Sequence, residues 1–307
     1  MTGQEIAFLL SEHLDPEYIH PDQPMSEYNS FRAGGKALCV AEVRTIGELR
    51  RVLTFVRKKS LSYVILGFGT NTIVEDEGYE GVVIKLIGDF SNIDIRGNEV
   101  VCGAGASLPR AARMSAEMWL TGLEFASGIP GTVGGAIRQN AGAFGSQMSD
   151  VVKRVKVLNS AGEEKVLHPH EMDFDYRHSI FCYKKYIILE AVIELKKGDK
   201  NVINEKIEKY TQERKSKQPL NYPNAGCIFK NPKEGFAAKF IQDAGLAGEW
   251  LGGAMVSDKH CGFIVNADEA TATDIIDLMD KVRRTVYRDF SVRLEPEITI
   301  IGPGSGH

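Results

Sequence analysis

Residues 122–145 read GLEFASGIPGTVGGAIRQNAGAFG, and this stretch decides the fold. Gly122, Gly128, Gly131, Gly134, Gly135, Gly142 and Gly145 recur along it, interleaved with Leu123, Phe125, Ile129, Val133, Ile137 and Phe144. A flexible linker carries small polar residues in such places. An apolar, glycine-dense run predicts instead an ordered, tightly turning backbone laid against something large and flat. Asn140 and free backbone amides of the run can meet the polar edges of that ligand.

Upstream, the pattern predicts a short helix over 5–13, a strand over 38–43 and a helix capped by Thr45, with Leu49, Val52, Leu53 and Val56 at helical spacing. A strand over 62–66 then runs into the turn Gly67-Phe68-Gly69-Thr70-Asn71, and a strand over 82–86 follows. Glycines here let backbone N–H groups approach an anion, and Thr70 and Asn71 add donors, so the turn fits a pyrophosphate cradle as well as a plain tight turn. It is not a dinucleotide fingerprint, because Thr72 stands where a third glycine is required and no helix follows.

Downstream come short strands over 93–95 and 99–102 and a helix over 109–119. A hairpin over 155–168 and a long apolar strand over 186–195 complete this part. A helix over 201–215 opens the last third, Thr271 starts an amphipathic helix through Val286, and 292–301 reads as a closing strand. The tail 302–307 reads as flexible. Net charge is −4, which gives no bulk pull toward nucleic acid or anionic membrane. No apolar run approaches the roughly 20 residues of a membrane span. The N-terminal residues do not read as a secretory signal. Cys39, Cys102, Cys182, Cys227 and Cys261 are scattered without metal-ligand spacing, so neither a disulfide framework nor a zinc site is expected. His168 and His170 lack a third ligand, and no metal is expected there. The cytoplasm is the expected compartment.

GFGTNTIV at 67–74, the 122–145 stretch, YRHSIF at 176–181, NAGCIFKNP at 224–232 and LEPEI at 294–298 occur in an order that resembles the UDP-N-acetylenolpyruvoylglucosamine reductases. The resemblance runs from about Asn29 to Ile301, and it is to the shorter form of the family, without an extra substrate-covering loop. It implies an α+β chain: a two-lobed FAD-binding fold of the vanillyl-alcohol oxidase type plus a C-terminal α/β substrate domain. The expected limits are 1–88 for the first lobe, 89–200 for the second and 201–301 for the substrate domain. It also implies non-covalent FAD, NADPH as co-substrate, and reduction of the enolpyruvyl ether of a UDP-sugar in peptidoglycan precursor synthesis. The chain is expected to act as a monomer, without nucleic-acid or membrane partners.

By the same resemblance Gly67, Phe68, Gly69, Thr70, Asn71 and Thr72 hold the FAD pyrophosphate. Gly122, Gly128, Ile129, Pro130, Gly131, Thr132, Gly134, Gly135, Ala136, Asn140, Ala141 and Gly142 wrap the flavin. Arg177 matches the family's catalytic arginine, and a guanidinium suits the carboxylate on which charge develops. Cys227 stands where the family usually has Ser as proton donor; a thiol is the better acid of the two. Glu297 matches the family's catalytic glutamate, although Glu295 shares its face at strand period and geometry alone leaves both open. Tyr176, Lys217, Lys230 and Asn231 are expected to border the substrate. Ala247 stands where relatives often carry Lys, leaving one diphosphate contact in doubt. Another flavin oxidase of the same fold, or a non-catalytic nucleotide-binding module, are the competing readings.

Overall fold

A parallel strand buried on both faces needs apolar residues at successive positions, and Val82, Val83 and Ile84 supply them. In the computed structural model, which describes residues 1–306, they lie in β5 (Tyr79–Leu86), in a sheet with β1 (Ile19–Pro24), β2 (Lys36–Val43) and β3 (Ser62–Ile65). The order is β1-β2-β5-β3, with β5 parallel to both β2 and β3 and β1 antiparallel to β2. Helix α1 (Gly3–Leu10) packs on β1 and β2. Helix α2 (Ile46–Lys58) makes the crossover to β3; Thr45 Oγ1 accepts from Glu48 N–H at 3.2 Å, and Leu49, Val52, Leu53 and Val56 are buried. The turn after β3 leads through β4 (Thr72–Val74) into β5.

The second lobe is a five-stranded antiparallel sheet of β6 (Ile93–Arg96), β7 (Glu99–Gly103), β11 (Val152–Leu158), β12 (Glu164–Leu167) and β13 (Ile187–Glu194), ordered β12-β11-β13-β7-β6. Helix α3 (Leu108–Glu117) lies between β7 and the Gly-rich stretch, and β8 (Leu120–Thr121) pairs with β14 (Lys196–Lys197). The stretch itself is ordered, as expected, but it also holds a short helix, α4 (Val133–Arg138), and a hairpin of β9 (Gly142–Ala143) and β10 (Ser146–Gln147). One continuous apolar core runs through both lobes.

The last third has its own core around α6 (Ala237–Asp243), α7 (Ala272–Phe290) and the antiparallel strands β15 (Trp250–Leu251), β16 (Ala254–Val256) and β17 (Ile264–Asn266). Three findings depart from the expected layout. Helix α5 (Lys200–Lys217) packs on α3 and β8 of the second lobe rather than on this core, and Ile203 is its only buried residue. The closing strand shrinks to β18 (Thr299–Ile301), because Pro296 has no N–H to give a ladder and makes an isolated bridge to Phe229. The tail does not trail away: Gly302 N–H donates to Ser305 Oγ at 2.9 Å, turning the chain back against the first lobe.

β18 pairs in parallel with β4, so the end of the chain is stitched into the first lobe. Phe31, Ala33 and Ile73 join the C-terminal core. Asp76 completes the junction: its carboxylate accepts from Ala272 N–H (3.0 Å), Thr273 N–H (2.8 Å) and Thr273 Oγ1 (2.7 Å) at the start of α7. Burial pushes the Asp76 pKa up, but these donors outweigh it and hold the carboxyl below its ordinary 3.8. Asp76→Ala is expected to cost about 1–2 kcal/mol at neutral pH, measured by urea unfolding. A lowered folded-state pKa stabilises above the ordinary value and loses that stabilisation as pH falls through the folded one. The gap between wild type and variant therefore narrows below 3.8; an undiminished gap at about pH 2 would show that the carboxylate charge is not responsible.

Candidate active site

The two lobes and the C-terminal core meet around a cleft of about 1020 Å³, at the top of the range of about 300–1,000 Å³ usual for ligand pockets. One wall is the turn Gly67 to Thr72. Gly69 has φ +64°, and a Cβ there would lie 2.1 Å from the Tyr28 carbonyl oxygen, so only glycine fits. The backbone N–H groups of Gly67 to Asn71 have no acceptor among the described residues. Thr70 Oγ1 donates to the Pro130 carbonyl at 3.0 Å, which ties this turn to the Gly-rich stretch. Ile129 to Thr132, Gly134 to Ala136 and Ala141 to Phe144 form the facing wall.

Arg177 sits in a tight turn in which Asp175 and His178 exchange backbone hydrogen bonds, each 3.1 Å long. Its φ is +51°, a backbone region that a side chain of this size rarely occupies and that surrounding contacts must enforce. Its Nε donates to Glu297 Oε1 at 2.7 Å and its Nη2 to the Gly142 carbonyl at 3.2 Å. The Tyr176 ring lies 5.2 Å from the guanidinium carbon.

Glu297 is held from both sides. Its N–H donates to the Ile228 carbonyl at 2.7 Å, and its carbonyl accepts from Asn71 Nδ2 at 3.0 Å. Lys230 N–H donates to the Glu295 carbonyl at 2.9 Å, so the strand-like segment 228–230 runs beside 295–297. This pairing sets Cys227, one residue earlier, on the same cleft wall as Arg177 and Glu297. Position separates the two acids that sequence left open: the Glu295 side chain is 77% exposed and turned outward to Lys230, whereas Glu297 is 15% exposed and faces the cleft.

Burial pushes the Glu297 carboxyl up, with Arg177 acting against it. Cys227 opens into the cleft, not onto the outer surface; close packing around it, then the Glu297 charge, raises its thiol to about 11 against the pull of Arg177 and Arg214. At neutral pH the thiol is therefore protonated. The wall offers a fixed guanidinium, a carboxylate and a proton held on sulfur: the means to bind an anionic substrate and protonate it.

An FAD-binding domain model matches residues 37–167, and a model described as the C-terminal domain of UDP-N-acetylenolpyruvoylglucosamine reductase matches 218–301. The reductase of Caldanaerobacter subterraneus subsp. tengcongensis is 44% identical over 95% of this chain and 97% of its own length. The chain belongs to the UDP-N-acetylenolpyruvoylglucosamine reductase family. The Clostridioides difficile reductase is 42% identical over 98% of the chain and 99% of itself. The crystal structure of the Thermus caldophilus reductase superposes with a TM-score of 0.79 at 34% identity, covering 92% of this chain and 98% of that one.

The residues present fit the FAD of this family. Free amides at Gly67 to Asn71 suit a pyrophosphate, and a Cβ at Gly67 would come within 2.6 Å of Thr132 Oγ1, so the two walls approach closely there. Several residues expected to touch the cofactor lie off the cleft wall. Asn140 is fully buried and spent on structure: its Nδ2 donates to the Asp175 carbonyl at 3.0 Å and its Oδ1 accepts from Ser149 N–H at 2.9 Å. Gly122 N–H donates to Glu124 Oε2 at 2.7 Å, and the Gly128 carbonyl accepts from Arg214 Nη1. Tyr176 supports Arg177, and its hydroxyl accepts from Asn231 N–H at 3.2 Å. Asn231 Oδ1 in turn accepts from Ala237 N–H at 3.0 Å. Lys217, 65% exposed, pairs with Glu213 at 2.5 Å, and Lys230 stands 3.8 Å from Glu295. Ala247 is exposed.

Sequence reasoning passed over Arg214, Gln218, Arg138 and Cys182, all on the cleft wall. Arg214 Nε donates to Gln218 Oε1 at 3.1 Å; burial lowers its pKa while the nearby Cys227 acts the other way. In the run Glu213 to Lys217 it looks like any solvated charge, and nothing local distinguishes it. Cys182 is half-buried, with its thiol donating to the Arg138 carbonyl at 3.2 Å.

Iodoacetamide labelling of Cys227 in the cofactor-stripped protein, followed peptide by peptide, is expected to rise with pH to a midpoint near 11 rather than near 9.0. Glu297→Gln removes the charge that disfavours the thiolate and moves that midpoint down. A midpoint at or below 9.0 in the unmutated protein, or an upward move in Glu297→Gln, contradicts the electrostatics described here.

Proposed function

We propose that this chain reduces UDP-N-acetylglucosamine enolpyruvate to UDP-N-acetylmuramate with NADPH and bound FAD, a step of peptidoglycan precursor synthesis. The observation that carries the reading is the convergence of Arg177, Glu297 and Cys227 on a cleft whose other walls suit FAD. The turn 67–72 and the stretch 129–144 would hold FAD, which would supply the hydride transfer between NADPH and the vinyl carbon of the substrate.

The protein's own groups do the rest. Arg177 keeps Nη1 and part of Nη2 available beyond its bonds to Glu297 and Gly142, and donates them to the substrate carboxylate as charge develops on it. Glu297 fixes the direction of that guanidinium. The Cys227 thiol, protonated at neutral pH, gives its proton to the carbon beside the carboxylate, and the resulting thiolate takes a proton back from solvent. Lys217 and Lys230, whose charges are now met by Glu213 and Glu295, are the candidates for the diphosphate.

We read the working form as a cytoplasmic monomer serving cell shape and division through its product, without nucleic-acid or membrane partners. A net charge of −4 gives no bulk pull toward nucleic acid, and among the described residues no helix is long and apolar enough to cross a membrane. Sedimentation of the holoenzyme tests the monomer.

Purified protein should be yellow, bleach anaerobically with NADPH and recover its colour on addition of the enolpyruvyl UDP-sugar. Bleaching without recovery points to another oxidoreductase of the same fold, and a colourless protein that binds no FAD to a nucleotide-binding module. Cys227→Ala keeps the bleaching step and slows recovery by about 10²–10⁴-fold, the usual worth of a positioned acid. Cys227→Ser retains substantial recovery. Wild-type recovery in Cys227→Ala removes the thiol from its role.

A further inference from the structure

The β9–β10 hairpin, which supplies the carbonyl that holds Arg177, turns through the two residues 144–145, both at the positive φ that such a turn requires and that suits Asn or Gly better than Phe. Phe144 has φ +55° and Gly145 φ +83°. For a bulky aromatic residue a positive φ is an outlier that persists only where surrounding contacts enforce it. The contact at Phe144 is an aromatic stack: its ring lies 4.0 Å from that of Tyr210, with 6° between the planes. Tyr210 belongs to α5, and four residues on, Arg214 Nη1 donates to the Gly128 carbonyl. Residues four apart share a helix face. Helix α5 thus grips the glycine-rich stretch at two points. With Ile203 as its only buried residue, α5 gives the fold little core.

We propose that Tyr210 is a positioning residue for reduction of the enolpyruvyl substrate, acting through Phe144 to hold the Gly142 carbonyl against Arg177. This rests on the reaction proposed above. The line of contact is short. Tyr210 stacks on Phe144, the hairpin carries Phe144 and Gly142 two residues apart, and Gly142 accepts from Arg177 Nη2 at 3.2 Å. Glu297 fixes the guanidinium through Nε, and the Gly142 carbonyl fixes its rotation about that bond. Without the stack, Phe144 can leave its positive φ, the hairpin shifts, and Arg177 keeps one anchor of two. The Tyr210 hydroxyl has no partner among the described residues, so the ring alone is needed.

The two half-reactions of the FAD-loaded enzyme separate this role from a general brace. In anaerobic stopped-flow, Tyr210→Ala is expected to slow flavin recovery by the enolpyruvyl UDP-sugar by roughly 10- to 100-fold, the scale of a small misplacement at a reacting centre. In Tyr210→Ala, reduction by NADPH changes less than about twofold, since no substrate carboxylate takes part in that half-reaction. Tyr210→Phe restores recovery. In flavin recovery Phe144→Leu is as slow as Tyr210→Ala, and the double variant is no slower than either, as expected of two residues acting through one contact. Equal slowing of both half-reactions, additive losses, or wild-type recovery in Tyr210→Ala overturns the assignment. If unmutated enzyme is reduced by NADPH but the enolpyruvyl sugar never restores its colour, the reaction itself is wrong, whatever Tyr210 does.

Discussion

The ion pair between Arg177 and Glu297 joins residues 120 positions apart, and the rest of the site is arranged around it. Neither partner is held by its own side chain alone. Arg177 is offered from a turn with positive φ, and Glu297 is pinned through its backbone to Ile228 and Asn71. Partly buried pairs of this kind add little net stability, because desolvation consumes most of the attraction. Their value lies in direction. A guanidinium bound edge-on at Nε keeps its other face for a substrate carboxylate.

That pair can form only if the end of the chain returns to its beginning. The parallel pairing of β18 with β4, the shared core around Phe31 and Ile73, and the Asp76 cap on α7 together bring 295–299 beside the turn 67–72. The same return lays 228–230 alongside 295–297, which delivers Cys227. The cofactor walls and the Cys227 thiol are therefore placed by one junction. Disturbing it alters cofactor fit and catalysis together.

The electrostatic consequence is a thiol that keeps its proton. A crowded surround and, after it, the nearby Glu297 carboxylate push Cys227 up, while two guanidinium groups pull the other way and lose. A serine at this place needs no such suppression. A cysteine does, because an ionised one would add to or be oxidised by passing ligands instead of giving up a proton. The arrangement keeps a reactive residue type protonated at neutral pH.

Local chemistry was legible in the chain. Thr45 and Thr271 announce their helices because a capping hydroxyl acts on backbone groups three residues away, and the apolar run at 82–84 announces a strand buried on both faces. The glycine-rich stretch announces an ordered bed, and motif order marks Arg177, Cys227 and Glu297. What depends on distant partners was not legible. Asn140 could as well have faced a ligand until Asp175 and Ser149 claimed its side chain. Arg214 sits in a charged run and becomes part of the cleft only because α5 lies on the second lobe. Glu295 and Glu297 share a strand period, and only their tertiary surroundings separate them, Glu295 lying exposed beside Lys230 and Glu297 largely covered against Arg177. Sequence by itself determined which groups are available, through effects that reach one turn of helix or one strand pair. The tertiary structure decided which of them face each other, because that is set by packing between segments more than a hundred residues apart.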